Sequence, residues 1–187
     1  MIKRLVAFDF DGTLIDSPLP EYGKLVWSEK KVSPYPHSGW WSKPEILDID
    51  VFDIKPNPVV YSQYLKEIST PNTYVIILTS RLKKLEEQIK LVLEQNNIFV
   101  NEINTKNTNE TKGIRILKYL DKFPEINEIS VFDDSIDVIE NEYNTIKHLL
   151  PDNLSFNIYF VNNNKLTLSL IHISEPTRLL SISYAVF

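Results

Sequence analysis

Four carboxylates, one hydroxyl and one amine stand along this chain where their spacing permits chemistry. Asp9 and Asp11 close the run "LVAFDFDGT", with Gly12 and Thr13 directly after them. Thr79, Ser80 and Arg81 close "VIILTSR", Lys112 follows Thr111 in "TKGIRIL", and Asp133 and Asp134 close "ISVFDD". Clustered carboxylates repel one another and are costly to assemble unless a cation sits among them. An all-oxygen ligand set selects a hard ion, here Mg²⁺. Magnesium held by one or two carboxylates takes a phosphate as a further ligand, and Lys112 with the Thr79 hydroxyl suits the remaining phosphate oxygens. Together these are the parts of a phosphoryl-transfer site.

The parts are useful only if the fold brings them together. Residues 3–8, 73–78, 98–103, 128–134 and 156–161 read as strands, mostly short, β-branched and uncharged, as buried parallel strands are. Between them, residues 58–68, 81–95, 111–123 and 137–150 carry helical patterns. In the second of these, Leu82, Leu85, Ile89 and Leu93 share a side, and Glu86 and Lys90 are spaced for an ion pair. Alternating strands and helices predict an α/β, three-layer Rossmann-like fold: a mostly parallel five-stranded sheet with helices on both faces. In such sheets ligands bind beyond the carboxyl ends of the strands, where the acids, Thr79 and Arg81 fall. Residues 18–57 break the pattern. They are rich in proline and hold Trp27, Tyr35, Trp40 and Trp41, with one short helix expected at residues 22–28: a small irregular insertion after the first strand.

The chain has 187 residues, 43% of them apolar, and a net charge of −5, which argues against a nucleic-acid binder that works by overall charge and leaves a local basic patch open. There is no cysteine, hence no disulfide, thiol nucleophile or cysteine-ligated zinc. No leader or membrane span is apparent, and the expected protein is soluble and cytoplasmic. Residues 168–178 and 182–187 resemble two pieces of a transposase-type sequencing adapter read in frame, so residues 168–187, with His172, are given no role. Residues 1–167 are expected to be the natural part, cut short at its end.

The four strand-end motifs, in order, resemble those of the haloacid dehalogenase (HAD) superfamily: "FDFDGTL", "VIILTSR", "TK" opening a helix, and "VFDDS". The resemblance spans roughly residues 2–161. It implies a single HAD-like domain over residues 1–167, with residues 18–57 as its cap. It implies that Asp9 is the nucleophile forming an aspartyl-phosphate and that Asp11 is the general acid and base, its backbone carbonyl a metal ligand. Gly12 and Thr13 turn the chain beneath the site, Thr79 and Lys112 grip the phosphoryl group, and Asp133, with or without Asp134, holds Mg²⁺. An acid two residues after the nucleophile favours phosphatases over the dehalogenases and P-type pumps of the superfamily.

The insertion, with "GWWSKPEIL" at residues 39–47, is similar to the Swiss Army Knife RNA-repair-like subgroup, although Ser80 stands where that subgroup has glycine and "VFDDS" where it has Glu-Asp-Arg. That similarity implies RNA or DNA ends as substrate. Trp40 and Trp41, with Tyr35, Lys30, Lys31 and Lys43, then form a stacking and phosphate-contact surface, or else the tryptophans pin the loop to the core. A small-molecule or nucleotide phosphatase, a non-catalytic HAD-like binding module and a phosphotransferase are the other readings. Ser80 and Arg81 are further candidate substrate contacts, and the sequence leaves the oligomeric state open.

Overall fold

The computed structural model describes residues 1–107, 109–162 and 165–169. In chain order its elements are β1 (Arg4–Phe8), β2 (Ile15–Asp16), α1 (Pro20–Lys31), β3 (Lys55–Pro56), α2 (Pro58–Ile68), β4 (Thr73–Leu82), α3 (Glu86–Gln95), β5 (Glu102–Lys106), α4 (Lys112–Lys122), β6 (Glu128–Asp133), α5 (Ile136–Ile146), β7 (Ser155–Asn162) and β8 (Lys165–Leu168). The main sheet runs in the order β5-β4-β1-β6-β7-β8, parallel except for β8. The chain steps outward from β1 to β4 and β5, then crosses back to lay β6 on the other side of β1. That reversal opens a crevice at the carboxyl ends of β1 and β6.

Alternation along the strands divides the core. Leu5 and Ala7 of β1, with Ile76, Leu78, Ile129 and Val131, pack under Ile116 and Tyr119 of α4 and Ile139 and Ile146 of α5. Val6 and Phe8, with Val75, Ile77 and Phe132, pack under Val60 and Tyr64 of α2 and Ile89, Val92 and Leu93 of α3. Each fully buried side chain of this kind contributes about 1.5–3 kcal/mol relative to exposure. The three-layer α/β arrangement is thus as expected, but with six strands rather than five. The sixth, β8, is only four residues long and half of them are polar, so its pattern carries little signal. It pairs Leu168 with Tyr159, and Ser169 N–H donates to the Ile158 carbonyl, which places the first two residues of the adapter-like stretch at the sheet edge. The rest of that stretch lies outside the described residues.

Element boundaries differ from the sequence reading. Strand β5 begins at Glu102 rather than residue 98, because Phe99 gives its N–H to the Tyr64 hydroxyl and takes that hydroxyl's proton on its carbonyl. Helix α3 begins at Glu86 after a 3₁₀ turn, Lys83–Leu85, which leaves Leu82 on β4 and exposed. Glu86 accordingly pairs with Lys83, and Lys90 with Glu94.

The insertion is more ordered than its composition suggests. Helix α1 exceeds its expected span, with Pro20 in its first turn, and the β2–β3 ribbon closes the insertion's base by pairing Ile15 with Pro56 and Asp16 with Lys55. Trp40 is only 5% exposed. Its ring lies against Gly23 of α1 so closely that a Cβ there would overlap it. It also packs on Tyr35 and Phe52 and donates to the Pro18 carbonyl at 2.8 Å.

Candidate active site

The parallel register sets the site. Phe8 lies opposite Phe132, so the next residues, Asp9 and Asp133, emerge side by side, and Asp9 N–H donates to the Phe132 carbonyl at 2.9 Å. Continuing the alternation, both acids fall on the face of Ala7 and Val131, where α4 begins. Thr111 caps α4 by accepting from Ile114 N–H, which puts Lys112 in the first turn beneath the acids. Lys112 Nζ donates to Asp9 Oδ1 and Asp133 Oδ2, each at 2.7 Å. All three side chains are at most 10% exposed. Burial pushes the Asp9 carboxyl up to about 7 even with Lys112 beside it. Burial also opposes the Lys112 charge, but the two carboxylates outweigh it and push the amine up to about 12.

After β1 the chain turns sharply through Gly12, at φ 70°. A Cβ at Gly12 would overlap the Asp134 carboxylate, so glycine is what lets Asp134 lie against the turn. Asp9, Asp133 and Asp134 each offer an oxygen, all within 4.8 Å of one another. The Asp11 carboxylate stands apart from these three. Arg81 holds it with two parallel bonds, Nε to Oδ2 and Nη2 to Oδ1, both 2.7 Å. The third arm of Arg81 donates to the Trp41 carbonyl at 3.0 Å, and its guanidinium lies 5.6 Å from the Trp41 ring.

Thr79, Ser80 and Arg81 reach the crevice through a bulge. Leu78 pairs with Asn104 and Leu82 with Lys106, so four steps along β4 oppose two along β5, and the excess bows outward. Thr79 therefore belongs to a strand and does not cap a helix. Its hydroxyl accepts from Arg81 N–H at 3.1 Å. Sequence reasoning missed the residue that braces this bulge. Arg115 is buried on α4 and donates from Nη2 to the Thr79 carbonyl and from Nη1 to Asn104. The available signal was an arginine in the apolar stripe of Ile116 and Tyr119. Glu142 was missed as well; it accepts from Gly113 N–H at the start of α4 and faces the crevice.

The crevice is a cleft of about 900 Å³, and every sequence-predicted site residue lines it except Thr13 and Trp40. Thr13 is fully buried below the turn. Trp40 belongs to the core of the insertion, whereas Trp41, 45% exposed, borders the cleft. Adjacent residues on an irregular loop point opposite ways, so the expected aromatic surface is not assembled. Tyr35 packs against Trp40, Lys31 pairs with Asp48 and covers Trp27, and Lys30, Lys31 and Lys43 are absent from the cleft wall. His37 bonds Glu45 within the insertion, as a loop residue does.

The donor set suits Mg²⁺. Asp9, Asp133 and Asp134 make an all-oxygen cluster of three acids, and among the described residues Lys112 is the one cation paired with it.

No family model matches the chain. An uncharacterized protein of Saccharomyces cerevisiae is 26% identical over 165 residues, covering 74% of this chain and 36% of its own; the chain spans about a third of that relative's length. The HAD domain of the effector protein Lem4 from Legionella pneumophila is a structural neighbour with TM-score 0.51 and 20% identity over 86% of both chains. Two structures of the Pnkp1/Rnl/Hen1 complex, one described as an RNA repair complex, give TM-scores of 0.52 and 0.51 at 16% and 17% identity, over 86% of this chain and 46% and 43% of theirs. The likeness is one of fold. The chain has the HAD-type α/β fold, built on a mostly parallel six-stranded sheet. Among the described residues, no helix is long and apolar enough to cross a membrane.

Proposed function

We propose that this chain is a Mg²⁺-dependent phosphomonoesterase of the cytoplasm that works through an aspartyl-phosphate on Asp9. The observation that carries the reading is the buried Asp9–Lys112–Asp133 constellation at the carboxyl ends of β1 and β6, with Asp134 beside it. Residues 1–167 are the working domain and residues 18–57 its cap; residues 168–187 remain read as translated adapter.

Asp9 Oδ2, the oxygen that Lys112 does not hold, attacks phosphorus, and the bond from phosphorus to the alcohol oxygen breaks. Asp11 delivers a proton to the departing oxygen. It then takes one from the water that cleaves the aspartyl-phosphate, releasing phosphate and restoring Asp9. Arg81 occupies both Asp11 oxygens, so proton delivery requires that pair to loosen as substrate enters. Lys112, Thr79 and Ser80 hold phosphoryl oxygens that do not react. Asp9, Asp133 and Asp134, with the Asp11 backbone carbonyl, would hold Mg²⁺, which when bound neutralises charge on the phosphoryl group.

For the substrate, the RNA repair neighbours support nucleic-acid ends. A small-molecule or nucleotide monoester is supported by the charge of the cleft, whose lining cations are already paired.

The test is an aryl phosphate with Mg²⁺, for the wild type beside Asp9→Asn. Turnover should fall at least about 10³-fold in the mutant, with its melting transition retained. No turnover in either folded protein would move the weight to a binding module. Diversion of the phosphoryl group to an added alcohol would mark a transferase.

A further inference from the structure

The cleft continues past the reacting groups. Asp16, Ser17 and Leu19 line it and also line a second cavity of about 390 Å³. The far walls are Tyr22 and Val26 of α1, with Phe52 and Ile54 opposite. The two cavities thus adjoin along the segment that leads from β2 into the insertion. At the mouth of the second, Leu19 and Tyr22 are 64% and 67% exposed, large apolar side chains left uncovered beside a site. At the junction, the Ser17 hydroxyl is buried with no hydrogen-bond partner among the described residues.

Charge narrows the ligand. In the cleft, Lys112 is held by Asp9 and Asp133, and Arg81 by Asp11 and the Trp41 carbonyl. No other lysine or arginine lines either cavity among the described residues. Acids do. Glu142 faces the cleft, Asp16 sits at the junction with no ion pair among the described residues, and Asp53, which pairs with Lys55, stands at the far end. A second phosphate placed along this path meets like charge with no counter-ion. A neutral ring meets apolar walls, and its N–H or O–H groups meet carboxylate acceptors.

We propose that the second cavity is a leaving-group subsite selecting esters with one phosphate on a neutral, ring-bearing alcohol, such as a nucleoside, over polyanionic nucleic-acid ends. The assignment rests on the phosphatase reading and specifies its substrate class. Four esters test it: adenosine 5′-monophosphate, adenosine 3′,5′-bisphosphate, a 5′-phosphorylated oligoadenylate and methyl phosphate. For each, kcat/KM is measured with the wild type and Kd with Mg²⁺-loaded Asp9→Asn.

The monophosphate should exceed each of the other three by about tenfold or more. Asp16→Asn should narrow the gap between monophosphate and bisphosphate severalfold. Val26→Trp, which fills the cavity, should raise KM for the monophosphate more than for methyl phosphate. An oligoadenylate turned over as well as the monophosphate overturns the proposal, as does an Asp16→Asn effect equal on all four esters. Binding in the expected order without turnover keeps the subsite and overturns hydrolysis. Turnover of all four at similar rates keeps hydrolysis and overturns the subsite, and neither binding nor turnover removes both.

Discussion

The floor of the cleft and the insertion above it are held by opposite means. The floor is charge fixed by backbone: Asp9 and Asp133 stand where the β1–β6 ladder delivers them, and Lys112 bridges them from the start of α4. The insertion is apolar surface fixed by packing: Trp40, Ile46, Leu47, Val51, Phe52 and Ile54 share one cluster with Val6, Phe8 and Ile77 of the sheet and Ile89 and Val92 of α3. Trp40 packs on Gly23, Tyr35 and Phe52, while the two-residue β2–β3 ribbon and the Arg81 bond to the Trp41 carbonyl tie it to the rest. A floor built into the ladder keeps its geometry as long as the sheet is folded. A segment held to the sheet by side-chain packing, and not by the sheet's own ladder, can open while the sheet remains folded. Reaction geometry is therefore tied to global stability, and access and selectivity to a smaller, local one.

The strongest way to break this contrast is Lys112→Met. Removing the ammonium leaves two buried carboxylates facing each other, at a cost of about 3–5 kcal/mol. The whole sheet should feel it as a single cooperative loss in denaturant melts. Mg²⁺ should stabilise this variant more than the wild type, since a divalent cation can replace the missing charge. Equal Mg²⁺ stabilisation of both proteins would show that the acids do not share one cation site.

Trp40→Ala should cost about 3 kcal/mol where Trp40 packs. The loss should appear in hydrogen exchange of residues 18–57, with β1 and β6 amides little changed. Uniform loss across the sheet would mean that insertion and floor form one cooperative unit, contrary to the comparison.

The same contrast explains what could be read from sequence. Strands β1, β4 and β6 were legible because a buried parallel strand is a short apolar run. The acids closing β1 and β6 were legible because charge at the end of such a run needs a reason. Lys112 was legible as the lysine that opens the α4 pattern. The pairing of Arg81 with Asp11 was not legible, since the β4 bulge depends on the register with β5 and not on local preference. Nor was the division between Trp40 and Trp41, because an irregular loop has no period to assign faces. Arg115 braces the bulge from another element, and its role exists only in three dimensions.

Two glycines sharpen the comparison at smaller scale. Gly12→Ala forces a side chain at φ 70° into the Asp134 carboxylate, whereas Gly23→Ala forces one into the Trp40 ring. Each should cost about 1–3 kcal/mol. The first should weaken Mg²⁺ binding and leave insertion exchange unaltered, and the second should do the reverse. Matching effects on both readouts would erase the distinction between the regions.

The smallest expected effect separates the regions by pH. The folded Asp9 carboxyl sits at about 7, above its ordinary 3.8, so between those values the folded protein holds a proton that the unfolded chain has lost. Without metal, this group's contribution to stability therefore falls as pH rises through that window and is constant above it. Mg²⁺ binds the deprotonated acid, so its stabilisation should grow as pH rises toward 7, by about 1 kcal/mol over the last pH unit below it, and level off above about pH 7. Melting curves with and without Mg²⁺, from mildly acidic to mildly alkaline buffer, measure this directly. Asp9→Asn should flatten the pH dependence of the Mg²⁺ shift, because the titrating group is gone. Trp40→Ala should leave its shape intact, because the insertion contributes none of the three clustered acids. A Mg²⁺ shift as large in acid as in alkali would mean that the ion binds without displacing the Asp9 proton, and would remove Asp9 from the metal site.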